Sequence, residues 1–211
     1  MIDRSLALSG PPLASATTAM LVVDMQKDRV DIGAPLFDPL AHEAIVPTRR
    51  MLELARATDV RVVFIAHAHR GDGSDRGRRA DHRSAGRERP APVEGTSGAR
   101  ICDALHPLPH EPLICKRRES AFFGTDLDTV LRSMRIETVV FTGSPASRAL
   151  LPSVHDALAR DYRTLFVHDP RTGTAPGTGD AIDTVLAAMA MTSAEVMSVD
   201  GFANLIMRER L

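Results

Sequence analysis

The chain has 211 residues, 44% of them hydrophobic and 25% charged, with a net charge of -1 at pH 7. That length suits one domain with a full core, and the near-neutral balance argues against nucleic-acid or membrane-surface partners. No apolar stretch approaches the ~20 residues of a membrane span, no secretory signal opens the chain, and two cysteines (Cys102 and Cys115) make no disulfide framework, so a cytoplasmic protein is expected.

Residues 1–15 are small, mostly uncharged and proline-containing, and read as an arm ahead of a single domain over 16–211. Met20–Val23 is an uninterrupted apolar run ending at Asp24, which suits a strand buried on both faces. Pro39–Ala57 carries Met51, Leu52, Leu54 and Ala55 at helical spacing, with Pro47 in its first turn, where a missing N–H costs little. A second buried strand follows at Val60–Ala66. His67–Gly98 is the longest irregular segment and holds Arg70, Arg76, Arg78, Arg79, Arg83, Arg87 and Arg89. Such a segment is either solvated and partly disordered or a lid whose arginine could fork onto a substrate carboxylate.

The second half alternates regularly. Pro112–Cys115 is a third strand closed by Lys116, and Ser120–Thr125 is a tight loop. A helix over Asp126–Met134 is capped by Thr125 or Asp126, a fourth strand covers Thr138–Thr142, and a turn follows at Gly143-Ser144-Pro145. Then come a helix over Ser147–Arg160, a strand at Thr164–Val167, a Gly/Thr/Pro loop at Thr172–Asp180, a helix over Ala181–Met191, a strand at Ala194–Val199 and a helix over Gly201–Arg208. Strands alternating with helices predict a three-layer α/β/α, Rossmann-like domain with a mostly parallel sheet of about six strands. There is no P-loop, and the glycines at 173, 177 and 179 lack its Lys-Ser/Thr ending.

In such sheets ligands sit beyond the carboxyl ends of the strands, where strand order reverses. Asp24, Lys116 and the turn Gly143–Ala149 all lie just past predicted strand ends, so they can converge although far apart in sequence. A nearby Lys lowers an Asp pKa and burial raises it, and the winner decides whether Asp24 starts as base or acid. Ser144-Pro145 is a bond where the cis form costs little, and it is predicted to be cis. The amides from Ala146 to Ala149 would then open a helix and face the pocket as an oxyanion hole. Cys115 reads as a small buried apolar residue, and Cys102 sits in a helix-like stretch before Leu105. Ser144, Ser147 and Ser153 are conceivable nucleophiles without a sequence-adjacent base, and Ser147 reads better as a helix cap.

Met20-Leu-Val-Val-Asp24-Met-Gln26 together with Cys115–Ser153 resembles the isochorismatase-like hydrolase superfamily, over roughly Thr18–Val199. That group includes cysteine amidases and the isochorismatases, which cleave an enol ether. The resemblance implies that Asp24 is the catalytic acid/base, that Lys116 is its charge partner, and that the amidases' nucleophilic Cys falls on Ala149. Ala149 has no nucleophilic atom, which leaves three readings. One is an enzyme using acid/base chemistry without a covalent step, as isochorismatases do with Gly in this place. Another is a non-catalytic ligand-binding or scaffold member. The third is a cysteine amidohydrolase altered at one residue. Ala146, Ser147, Arg148 and Glu119 also depart from the family pattern, which favours natural divergence over a single replacement.

The expected substrate is a small, possibly anionic molecule, bound near His67, Phe122, Phe123, Ser144, Pro145 and Arg148. His67 and His69 fall where nicotinamidases bind metal. The segment offers only His82 and aspartates as partners, without tight spacing, so no metal and no cofactor is expected. The resemblance further implies a homo-oligomer.

Overall fold

A computed structural model describes residues 13–77, 91–145, 147–169, 173 and 179–207. Its strands are β1 (Thr18–Val23), β2 (Arg61–His67), β3 (Leu113–Lys116), β4 (Thr138–Gly143), β5 (Arg163–Val167) and β6 (Glu195–Met197). Its α-helices are α1 (Lys27–Val30), α2 (Pro39–Glu43), α3 (Ile45–Ala57), α4 (Leu127–Ser133), α5 (Leu150–Leu158), α6 (Gly179–Ala190) and α7 (Val199–Met207). The six strands form one sheet in the order β3-β2-β1-β4-β5-β6, and every neighbouring pair is parallel. The predicted α/β/α architecture is therefore the one observed.

Every residue of β1 is buried. Its side chains alternate between two cores, as period-2 geometry requires. Met20 and Val22 join Met51, Leu52, Phe202 and Leu205 from α3 and α7. Ala19, Leu21 and Val23 join Leu127, Leu131, Leu150 and Val154 from α4 and α5, with Met189 of α6. Phe64 and Phe141, fully buried on the strands flanking β1, each contribute about 1.5–3 kcal/mol by leaving water. Among the described residues no helix is long and apolar enough to cross a membrane.

The chain leaves β1 toward β2 and β3 and later returns to its other side as β4, so strand order reverses between β1 and β4. Val23 and Gly143 are register partners at that crevice. Gly143 has φ +120, and a Cβ there would stand 2.4 Å from the Val23 carbonyl oxygen. Only glycine lets the two strands run side by side to their ends.

Several local expectations are corrected. The helix expected over Pro39–Ala57 is two helices, α2 and α3, meeting at Ala44. Lys116 belongs to β3 rather than following it. The helix expected from Ser147 starts at Leu150, because Ser147–Ala149 is spent on a turn. Cys115 is exposed, not buried: β3 is an edge strand on which Ile114 and Lys116 point inward while Leu113 and Cys115 point out. The Ser144–Pro145 bond is trans, the commoner form even before proline. Of the N-terminal arm, residues 1–12 lie outside the described residues, and Leu13 is buried in this chain's own core. Arg78, Arg79, Arg83, Arg87 and Arg89 of the long loop also lie outside them, as do Ala146 and most of the Gly/Thr/Pro loop.

Candidate functional site

Asp24 is the first residue past β1, and its backbone is left-handed, with φ 56. Asp and Asn adopt that conformation more readily than other side-chain-bearing residues, because their short polar groups bond locally. Its amide donates to the Ile65 carbonyl (2.9 Å), which carries the β1–β2 ladder one bond further. The carboxylate is fully buried. Lys116 Nζ stands 3.3 Å from Oδ1, and the two side chains are 1% and 2% exposed. Ser147 Oγ donates to Oδ2 at 2.6 Å. Oδ1 accepts no well-aligned hydrogen bond among the described residues, so its attraction to Lys116 is Coulombic.

Burial alone would push the Asp24 pKa up. The Lys116 and Arg29 cations and the Ser147 hydroxyl outweigh it and hold the carboxyl below its usual range. Asp24 is therefore held as an anion at neutral pH. Burial pulls Lys116 below the usual amine range, against the pull of Asp24. Lys116 Nζ also reaches the Arg118 carbonyl, at 3.3 Å.

His67 ends β2 between these charges. Burial and the neighbouring Lys116 ammonium push it down to about 3, so the ring is neutral. Its Nε2 faces His69 Nε2 at 3.1 Å, and His69 Nδ1 faces Asp75 Oδ1 at 3.1 Å. Gln26 fixes this corner. Its amide donates to the His67 and Ala99 carbonyls, both at 2.8 Å, and its carbonyl accepts the His67 N–H at 2.8 Å. Among the described residues no three His, Cys, Asp or Glu side chains are grouped to hold a metal ion.

The described flanks of the long loop are well tied. His69 pairs with Pro92 and Glu94 through backbone bonds of 2.9 and 2.8 Å. Arg117 reaches Asp75 (3.0 Å) and Glu94 (2.7 Å), and Arg118 donates to the Asp75 carbonyl (2.7 Å). These bonds lash the segment after β2 to the exit of β3, beside Lys116.

The turn after β4 is built from its own hydrogen bonds. The Ser147 N–H donates to the Ser144 carbonyl (3.1 Å), and the Ala149 N–H donates to Ser147 Oγ (3.1 Å). These two amides are engaged within the turn and do not form the open anion hole expected of them. Ser144 Oγ donates to Asp38 Oδ2 (3.1 Å), whose other oxygen caps α2 at Leu40. Pro145 is buried and lines a small cleft with Thr142, Gly143, Val167 and Asp169, on the β5 side of the turn. Arg148 is exposed. Ala149 is 2% exposed and packs in the apolar cluster of Ala121, Phe122 and Leu150.

The structure thus brings Asp24, Lys116, His67 and the turn together at one crevice. It places Phe122 in the core, with its ring 6.1 Å from that of Tyr162 and under the Arg160 guanidinium, and leaves Phe123 64% exposed. Ser153 is structural, bridging the Ala149 carbonyl (2.6 Å) to the Ala121 N–H (2.8 Å). Sequence reasoning missed Gln26 and Arg29, and it preferred a capping role for Ser147 over that of a nucleophile without an adjacent base. Gln26 and Arg29 follow Asp24 by two and five positions. The Ser147 bond to Asp24 spans 123 positions, and no local pattern announces it.

A family model described as the isochorismatase domain matches residues 18–201. A probable inactive nicotinamidase of Arabidopsis thaliana is 31% identical over 160 residues, covering 75% of this chain and 81% of that protein. Maleamate amidohydrolase of Pseudomonas putida is 30% identical over 155 residues, covering 72% and 70%. The crystal structure of a cysteine hydrolase from Pseudomonas syringae superposes with a TM-score of 0.80 at 26% identity, covering 95% of this chain and 99% of that one.

Proposed function

The chain belongs to the isochorismatase family, and on that premise we propose that it hydrolyses a small anionic metabolite by acid/base chemistry that needs no thiol. The observation that carries this reading is the buried Asp24–Lys116 pair, 3.3 Å apart, beside an alanine at the thiol position. A buried ion pair is poor value for stability, since well-packed apolar side chains of the same volume commonly do as well. Perturbed, desolvated pairs of this kind cluster at reactive centres.

Asp24, held as a carboxylate, takes a proton from the attacking hydroxyl and later delivers it to the leaving group. Lys116 keeps that carboxylate charged and orients it. Lys116 and Arg29 both act on Asp24, Glu119 also acts on Lys116, and the neutral His67 adds no charge. A substrate carrying a carboxylate would meet those two cations near the bond to be cleaved. The relative named for maleamate fits the same class.

The deciding experiment assays the natural chain, Asp24→Asn and Ala149→Cys side by side on small acidic amides and acidic enol ethers. Turnover by the natural chain, lost by about a thousandfold or more in Asp24→Asn, is expected. Activity only in Ala149→Cys would mean that the chemistry of this fold still requires a thiol here. A second reading, a ligand-binding member without turnover, draws on the apolar packing around Ala149 and on the relative described as inactive. It requires tight binding of an acidic ligand with no product from any of the three proteins.

A further inference from the structure

Ser147 is not a cap alone. Its Oγ donates to Asp24 Oδ2 at 2.6 Å and accepts the Ala149 N–H at 3.1 Å. The hydroxyl is therefore aimed at a buried carboxylate that Lys116 holds charged, while a backbone donor approaches its oxygen from the other side. A serine becomes a nucleophile when a base removes its proton, and a donor to its oxygen eases that removal. Both parts are present, within two residues of the alanine that stands where the amidases carry their thiol. Ser120 has the same pair of contacts in form, donating to Asp156 Oδ2 and accepting the Phe122 N–H (3.1 Å), but its carboxylate is partly exposed and paired with Arg160; Ser144 and Ser153 of the turn region lack the arrangement. Ser144 bonds to the Asp38 cap, and Ser153 bonds to the Ala149 carbonyl.

We propose that Ser147 is the nucleophile of this chain, displaced by two positions from the absent cysteine, with Asp24 as its base and the Ala149 N–H as the donor that supports its oxygen. This rests on the hydrolase reading above and gives it a covalent route. The Ser147 hydroxyl proton passes to Asp24 Oδ2, and Oγ bonds to the substrate carbonyl carbon. The carbon–nitrogen or carbon–oxygen bond of the substrate then breaks as Asp24 returns the proton to the leaving atom. Water adds to the resulting ester, losing a proton to Asp24. The ester bond breaks, the acid leaves, and Oγ recovers its proton. The sum is one substrate plus one water giving an acid and an amine or alcohol. Its substrates are small carboxylic amides and esters rather than enol ethers, which have no acyl carbon to attack.

The test uses p-nitrophenyl acetate, a small activated ester, with the full chain, Ser147→Ala, Ser147→Cys and Asp24→Asn. A burst of one nitrophenolate per chain is expected, with an acetyl group mapped to Ser147 by peptide mass spectrometry. The acylation rate should fall about a thousandfold or more in Ser147→Ala and in Asp24→Asn. In Ser147→Cys the acetyl should appear as a thioester at the same position, removable by hydroxylamine, which a merely structural serine would not predict. Should Ser147→Ala fail to fold, the Ser147→Cys result decides alone, and no acylation there overturns the proposal. Hydrolysis that requires Asp24 but survives in Ser147→Ala, with no acyl-enzyme, also overturns it and leaves the direct acid/base reading standing. No Asp24-dependent hydrolysis of the ester or of the acidic panel overturns both.

Discussion

The crevice has two walls built on different terms. One is made of strand ends. Asp24 closes β1, His67 closes β2 and Lys116 closes β3, so backbone ladders fix all three side chains. The other wall is the turn from Gly143 to Ala149, which holds its shape by bonds among Ser144, Ser147, Ala149 and Leu150. The strand wall keeps the ionisable groups that the family resemblance assigns. The turn wall departs from that pattern at Ala146, Ser147, Arg148 and Ala149. Positions fixed by the sheet are hard to change without losing the sheet. A turn closed largely by backbone bonds, Ser147 N–H to the Ser144 carbonyl and Leu150 N–H to the Ser147 carbonyl, can exchange most of its side chains and still close.

The contrast can be broken most strongly at Lys116. Lys116→Met strands a buried carboxylate and should cost about 3–5 kcal/mol, read as a drop in the urea midpoint at pH 7. Adding Asp24→Asn should recover much of that loss. A double variant as unstable as Lys116→Met would mean that packing, not charge, is what Lys116 supplies. Gly143→Ala attacks the seam between the walls. Its Cβ meets the backbone of Val23, so a loss of about 3 kcal/mol or more is expected in thermal unfolding, together with a disturbed site.

His67 sharpens the comparison through pH. Its folded pKa, about 3, lies below its ordinary 6.5, so its contribution to stability is complete above 6.5 and is lost as pH falls toward 3. His67→Asn should flatten the stability curve in that window by up to about 1.4 kcal/mol per pH unit. Urea midpoints at pH 7, 5 and 4 check it, and an unchanged slope would mean that His67 is already charged in the fold. The smallest effect belongs to the turn wall. Ser144→Ala removes one partly buried bond to Asp38 and should cost about 0.5–1.5 kcal/mol in the urea midpoint, with little change in pH dependence.

Much of this was legible in the sequence. Uninterrupted apolar runs such as Met20–Val23 gave the buried parallel strands, because a strand covered on both faces has no polar side to show. Asp24 and Lys116 stood out as charged groups closing such runs. What was not legible depended on neighbours in space. The exposure of Cys115 follows from β3 lying at the sheet edge, which strand order decides and sequence does not print. Ser147 looked like a cap because its carboxylate partner, Asp24, lies 123 positions away past a neighbouring strand. The helix near Pro39 reads as one element from its apolar spacing, although Pro47, which suits a first turn, marks the start of α3 after the break at Ala44.

The left-handed backbone at Asp24 has a consequence for how this protein can drift. Asparagine and glycine adopt that conformation at least as readily as aspartate, and each is a single nucleotide change away. Either would remove the buried carboxylate but leave the Lys116 ammonium buried without its counter-charge. The backbone thus admits two other residues here, and the cost of either falls on Lys116 rather than on the turn of the chain. What holds an acid at this point is its pairing with Lys116, not the left-handed backbone that carries it.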